Sequence, residues 1–270
     1  MATQPKTRIA PTPSGLLHIG NAFSFLITEL WAKKNGAKIL LRIDDLDSER
    51  SRPAYIEDIF ETLEWLGIEW QEGPNSPDDF MRNWSQRKRM AIETPLMTSL
   101  NAKIFACQCS RKDLEGHSIY PGICLHKGIP LNTPYTTLRI VVPENTVVEI
   151  AENIFALGKE IGSFIIRKRD GIPAYQLASL LDDVQFGITH IVRGEDLLPS
   201  TASQIYLAGQ LALGGFAKCS FHHHPLLKND SGEKLSKSKG ADSLREMRLA
   251  GKGAEQLKDL AMEYFEQISR

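Results

Sequence analysis

Hydrophobic and polar positions along the chain follow two rhythms. A short β-prone run, Lys6 to Ile9, gives way to the breaker-rich Pro11-Thr12-Pro13-Ser14-Gly15. It is followed by Leu16 to Asn35, where Leu16, Ile19, Phe23, Leu26, Ile27 and Leu30 recur at helical spacing. The reading is strand, tight loop, helix. Lys38 to Ile43 is a second strand, ending in the acidic loop Asp44-Asp45-Leu46-Asp47, and Arg52 to Leu66 is an amphipathic helix closed by Gly67. A helical stretch runs from Asn83 to Ala102. Strands alternating with helices on this scale predict a parallel sheet joined by crossover helices.

The pattern changes near Cys107. Residues 107–135 are rich in Cys, Gly, Pro and turn formers, and Thr136 to Val142 and Phe164 to Arg167 then read as strands. An inserted subdomain is the expectation. The α/β pattern resumes with a helix over Pro173 to Asp183, a strand over Ile188 to Val192 and a helix over Ser200 to Leu213. A loop through Lys234-Leu235-Ser236-Lys237-Ser238 precedes a final helix, Leu244 to Ile268. The predicted organisation is a first α/β half over residues 1–102, an insertion over 103–172, a second half over 173–240 and a helical segment over 241–270.

Composition narrows the class. With 270 residues, 42% hydrophobic and 24% charged, the chain reads as an ordinary globular protein, not a disordered, collagenous or coiled-coil one. No apolar run approaches the ~18–20 residues that span a bilayer, so the expectation is a cytoplasmic protein without a membrane partner. A net charge of −1 gives no global attraction to a polyphosphate. Any RNA must therefore meet local basic patches, with Arg167-Lys168-Arg169 and the segment Lys228 to Lys252 as candidates. Four cysteines are too few for a disulfide scaffold, yet Cys107, Cys109 and Cys124 fall within 18 residues, which suggests a metal. His222-His223-His224 does not, because neighbours on a strand point to opposite faces; one of them lining an adenine pocket is the better reading.

Two motifs carry the chemistry. In Arg8-Ile9-Ala10-Pro11-Thr12-Pro13-Ser14-Gly15-Leu16-Leu17-His18-Ile19-Gly20-Asn21, a glycine and a histidine stand where a strand turns into a helix, suited to nucleotide phosphates near the positive end of the helix dipole. In Lys234-Leu235-Ser236-Lys237-Ser238-Lys239, two lysines three apart form a cationic clamp for a triphosphate whose charge rises in the transition state.

Together, His18-Ile19-Gly20-Asn21 and Lys234-Leu235-Ser236-Lys237-Ser238 resemble the HIGH and KMSKS signatures of class I aminoacyl-tRNA synthetases. Leu41-Arg42-Ile43-Asp44-Asp45-Leu46-Asp47, Tyr175-Gln176-Leu177-Ala178 and Gly187-Ile188-Thr189-His190-Ile191-Val192-Arg193-Gly194-Glu195-Asp196 resemble the glutamyl-tRNA synthetase group. Only about thirty residues follow the lysine motif. On that ground the chain is most similar to the shorter glutamyl-queuosine tRNA(Asp) synthetase branch, whose C-x-C…Y-x3-C zinc pattern matches Cys107, Cys109, Tyr120 and Cys124.

The resemblance implies an α/β fold of class I synthetase type: a split Rossmann fold with a parallel sheet, an inserted α+β zinc-bearing subdomain and a short C-terminal helical extension. It implies ATP-dependent activation of L-glutamate as glutamyl-adenylate, followed by transfer to the queuosine base of tRNA(Asp), by a monomer. His18 and Lys237 are then the catalytic candidates, and His18, Gly20, Lys234, Ser236 and Lys237 hold ATP with Mg²⁺. Arg8, Ala10, Thr12, Asp44, Tyr175 and Arg193 hold glutamate, with Asp44 as the ammonium partner where the group usually has Glu. One structural Zn²⁺ takes Cys107, Cys109 and Cys124, with Tyr120 or His126 as its fourth ligand. Two other readings remain: a truncated glutamyl-tRNA synthetase charging the 3′ end of tRNA(Glu), and a non-catalytic synthetase-like RNA-binding module.

Overall fold

The computed structural model describes residues 4–90, 100–227 and 243–268. In chain order the principal elements are β1 (Lys6–Ile9), α1 (Ile19–Asn35), β2 (Lys38–Leu41), α2 (Pro53–Trp65), β3 (Ile104–Cys107), β4 (Thr137–Ile140), β5 (Val148–Ile150), β6 (Asn153–Phe155), β7 (Ile165–Arg167), α3 (Tyr175–Gln185), β8 (His190–Gly194), α4 (Leu198–Gln210), β9 (Ser220–His224), α5 (Leu244–Leu249) and α6 (Glu255–Ile268). They form two compact units. The first comprises Met1–Arg89, Ile188–Asp196 and Ser220–Arg270, and the second Met90–Gly187 with Leu197–Cys219. The second unit thus holds residues 103–172, read from sequence as an insertion, together with α3 and α4.

In the first unit β1 pairs with β2 and β8 with β9, both in parallel. The Thr189 amide donates to the Lys6 carbonyl at 3.0 Å, and the Lys6 amide to Thr189 Oγ1 at 2.8 Å, which sets β1 beside β8. The two parallel pairs therefore lie side by side in the order β2-β1-β8-β9, joined at the Lys6–Thr189 end. One face of this sheet presents Ile9, Ile39, Leu41 and Val192 to Phe23, Leu26 and Ile27 of α1, and α6 packs against α1. Each fully buried side chain of this kind stabilises the fold by about 1.5–3 kcal/mol. Gly73 has a φ of 109° and lies so close to β2 that a Cβ there would come within 2.2 Å of the Leu41 carbonyl oxygen, so no other residue fits.

The second unit carries the antiparallel order β3-β4-β7 and the hairpin β5-β6. Sequence periodicity did not reveal this hairpin: its strands are three residues each, and Ala151 turns the corner with a φ of 51° without a glycine to mark it.

Two predicted helices differ from those observed. The stretch expected to be helical from Asn83 to Ala102 opens instead with a π-helical turn, Phe80–Trp84, an extended Ser85 and a one-turn helix, Gln86–Arg89, and its residues 91–99 lie outside the described residues. Leu244 to Ile268 is broken between α5 and α6. Gly251 takes a φ of 70°, and the Gly251 and Lys252 amides donate to Arg248 and Met247 carbonyls, closing α5 before the next helix begins.

Candidate active site and metal centre

The loop from β1 into α1 is fixed at both ends. The Arg42 amide donates to the Ile9 carbonyl and the Asp44 amide to the Pro11 carbonyl, each at 2.9 Å, so the chain after β1 runs alongside the chain after β2. The Leu17 amide donates to Asp58 Oδ2 at 3.0 Å, and the Leu17 carbonyl accepts from the Leu244 amide at 2.9 Å. Asp58 is itself buried and accepts from Arg248 Nη2 at 2.8 Å, while Arg248 also reaches Glu61 and Thr62. Asp58 and Arg248 thereby set the position of the residues just before His18. The sequence reading missed Asp58, since one aspartate on an amphipathic helix looks like any solvent-facing charge. It placed Arg248 in a basic RNA patch, whereas the guanidinium is held by α2.

His18 is the N-cap of α1, with extended backbone, and Gly20 is the second helical residue. Asn21, where the HIGH signature has its second histidine, accepts the His18 amide on Oδ1 at 3.0 Å. That substitution therefore has a capping role. Thr12 is exposed on the same loop, and Ala10 is half-buried. Lys234, Ser236 and Lys237 lie outside the described residues, as does much of the basic segment Lys228 to Lys252.

Three charged glutamate-binding candidates are buried in the first unit: Arg8, Asp44 and Arg193. Arg8 Nη1 donates to the Val192 carbonyl at 3.3 Å, a long bond that ties β1 to β8. Asp44 already has a buried cationic partner. Arg42 grips it in a two-pronged ion pair, Nε to Oδ1 at 2.7 Å and Nη2 to Oδ2 at 3.0 Å, with both side chains under a tenth exposed. Asp45, the next residue, accepts from Ser85 Oγ at 2.5 Å and from the Gln86 amide at 2.8 Å. Tyr175 is the first residue of α3, in the second unit, and is 43% exposed.

The second unit assembles the cysteines. The sulfurs of Cys107, Cys109 and Cys124 lie within 4.8 Å of one another, and those of Cys109 and Cys124 are 3.6 Å apart. A tetrahedral zinc with Zn–S near 2.3 Å needs sulfurs about 3.8 Å apart, so the cluster fits such an ion. The Tyr120 hydroxyl sits among them, 3.5 Å from Cys107 Sγ and 3.9 Å from Cys109 Sγ, and accepts the Cys124 amide at 2.7 Å. His126 is exposed and is not part of the cluster. Arg139 stacks its guanidinium 4.0 Å from the centre of the Tyr120 ring, and Arg169 holds the loop by donating to the carbonyls of Gln108 and Cys109. Burial pushes the Cys107 thiol up, but bonds from Tyr120, the Cys109 backbone and Arg139 outweigh it and bring the thiol down to about 7. Burial and the neighbouring Cys124 and Cys107 sulfurs push Cys109 up to about 11.

Residues 4–118 and 132–265 match the family of class I tRNA synthetases (E and Q), catalytic domain. The chain belongs to this family. The glutamyl-Q tRNA(Asp) synthetase of Pseudomonas fluorescens is 40% identical to it, the alignment covering 88% of this chain and 78% of the relative. That of Pseudomonas aeruginosa is 41% identical over 86% and 76%. Glutamate–tRNA ligase 2 of Nitrosococcus oceani is 37% identical over 92% of this chain, which spans only 57% of that enzyme's length. Among solved structures, the glutamate-tRNA synthetase of Elizabethkingia anophelis superposes with a TM-score of 0.72 at 26% identity, over 92% of this chain and 54% of that one. The family is one of ligases, and its α/β class I fold with parallel strands is the one described above. Among the described residues no helix is long and apolar enough to cross a membrane.

Proposed function

We propose that this chain is an ATP-dependent ligase that activates L-glutamate as glutamyl-adenylate and transfers the glutamyl group to the queuosine base at the wobble position of tRNA(Asp). The observation that carries this reading is the 40–41% identity to glutamyl-Q tRNA(Asp) synthetases over three quarters of their length. In the first step a glutamate carboxylate oxygen attacks the α-phosphorus of ATP and pyrophosphate leaves. In the second, a hydroxyl of the queuosine cyclopentene ring attacks the activated carbonyl and AMP leaves. No enzyme nucleophile is needed, so catalysis is positioning and charge stabilisation.

His18, at the mouth of α1, and Lys237 are assigned to the phosphates, with Gly20, Lys234 and Ser236 completing the nucleotide contacts. Mg²⁺ bound with ATP would neutralise phosphate charge. Arg8 and Arg193 take the carboxylates of glutamate, Asp44 its ammonium, Tyr175 a hydrogen bond, and Ala10 and Thr12 backbone and hydroxyl contacts. Cys107, Cys109, Cys124 and Tyr120 hold one structural Zn²⁺, which would lock the loop that carries them. The protein acts as a monomer.

The identity to glutamate–tRNA ligase 2 of Nitrosococcus oceani keeps one second reading in play, a synthetase that charges tRNA(Glu) at its 3′ end. The test is ATP-dependent attachment of labelled glutamate to tRNA fractionated by species and by queuosine content. Label on queuosine-bearing tRNA(Asp) alone is expected. Label on tRNA(Glu), or equally on queuosine-free tRNA(Asp), would reject the proposal, and no label on any tRNA would favour a binding module.

A further inference from the structure

The face of the first-unit sheet opposite α1 carries an unusual triplet. Strand alternation puts Ile9, Val192 and His222 on the α1 side: Ile9 and Val192 belong to the core with α1, and the His222 ring packs on Trp31 at 5.1 Å. Arg8, Arg193 and His223, their chain neighbours, therefore point to the other face. Arg193 and His223 are direct partners in the β8–β9 register, and Arg8 reaches the same level by bonding to the Val192 carbonyl. The ring of Phe221, two residues before His223 on β9, lies 6.0 Å from the Arg193 guanidinium and walls it on the same face. Both arginines are buried, at 5% and 3% exposure. Burial lowers the His223 imidazole to about 4, and the fields of Arg193 and, more weakly, Arg8 press the same way, so the ring is neutral at physiological pH.

We propose that His223 is a positioning residue for glutamate recognition: its uncharged ring stands beside Arg193 and Arg8, accepts a hydrogen bond from a guanidinium, and so orients the two cations toward the substrate's carboxylates. A neutral acceptor suits this place. A lysine would add repulsion between buried cations, and a carboxylate would satisfy the arginines internally and compete with the substrate. On sequence alone the three adjacent histidines are no metal set, and one of them reads as an adenine contact. The strand register separates them: His222 and His224 face α1, where His224 Nε2 meets Ser24 Oγ at 3.0 Å, and His223 alone shares a face with the arginines.

This inference rests on the glutamate-activating function proposed above, and its test separates the two. Glutamate-dependent exchange of labelled pyrophosphate into ATP is measured for wild type, His223→Asn and His223→Phe, with KM obtained for glutamate and for ATP and with thermal midpoints recorded. For His223→Phe, which keeps the ring's bulk without an acceptor, KM for glutamate should rise about tenfold or more, the loss expected for a hydrogen bond to a charged group, while KM for ATP moves less than about twofold. His223→Asn, which retains an acceptor, should recover most of that loss. The inference is overturned if both variants leave the glutamate KM unchanged, if glutamate and ATP constants rise together, if the Asn variant is no better than the Phe variant, or if only thermal midpoints fall. Should the Phe variant fail to fold, the Asn variant decides alone against His223→Leu. A wild type without glutamate-dependent exchange overturns the proposed function, and this inference with it.

Discussion

Asp44 shows what a missing methylene does in a packed site. The resemblance leads one to expect a glutamate there, and the shorter side chain is instead gripped by Arg42, two residues back and more deeply buried. Breaking such a pair from one side strands a buried charge, so Asp44→Ala should destabilise the protein by about 3–5 kcal/mol, measured by urea unfolding. Replacing both partners with apolar residues, Arg42→Met with Asp44→Leu, should recover much of that stability while leaving glutamate binding lost. The sequence pointed to Asp44 through its motif but could not reveal Arg42, because alternating charged residues after a strand are read as solvated unless burial is known. Cysteine spacing was more informative. Cys107, Cys109 and Cys124 were legible as a candidate metal set, their sulfurs do come together, and three-dimensional placement brings Tyr120 rather than His126 among them, a choice spacing alone left open. Its pH dependence follows from the thiols. With Cys109 raised to about 11, and so protonated at neutral pH, zinc must displace that proton, and below the value of about 7 for Cys107 it must displace a second. Apparent zinc affinity should therefore rise with pH, by at least about tenfold per unit above pH 7 and more steeply below it, read by competition with a chromogenic chelator. Substituting Cys124→Ser should abolish stoichiometric zinc.

Among the elements, those with strong periodicity were readable and those built by distant partners were not. α1, α2 and the strands β1, β2 and β8 lie within a few residues of their predicted places, because their apolar stripes and closing glycines are local signals. The segment after Phe80 failed that test for a physical reason. Its turn is organised by Asp45, forty residues earlier, whose carboxylate takes the Ser85 hydroxyl and the first amide of the following one-turn helix. A helix of four residues has too little internal bonding to persist unaided. Asp45→Ala should accordingly cost about 1–3 kcal/mol and raise hydrogen exchange through residues 80–89 without changing protection in α1. Global loss of protection would mean that Asp45 supports the whole first unit. Because Asp45 adjoins Asp44, the same bond ties the geometry of this turn to that of the proposed ammonium site.

At the scale of the whole molecule, the histidines divide the two units by their response to acid. His190, His222, His223 and His224 all belong to the first unit, and burial lowers the affinity of each for a proton, most strongly at His223, which falls to about 4. Unfolded, each would titrate near 6.5. Between those values the unfolded chain binds more protons than the folded one, so stability is complete above about pH 7 and is lost as pH falls through 6.5 toward 4. A histidine held wholly neutral contributes a slope of up to about 1.4 kcal/mol per pH unit; His222, exposed on the edge strand, contributes less because solvent screens it. Urea midpoints should thus fall steadily from pH 7.5 to 5.5, and His223→Asn should flatten that slope. Hydrogen exchange carries the spatial part of the prediction: at pH 5.5 protection in β8 and β9 should drop before that in β3 and β4, whose unit holds none of the four rings. Equal loss in both units would place the acid sensitivity outside these four histidines.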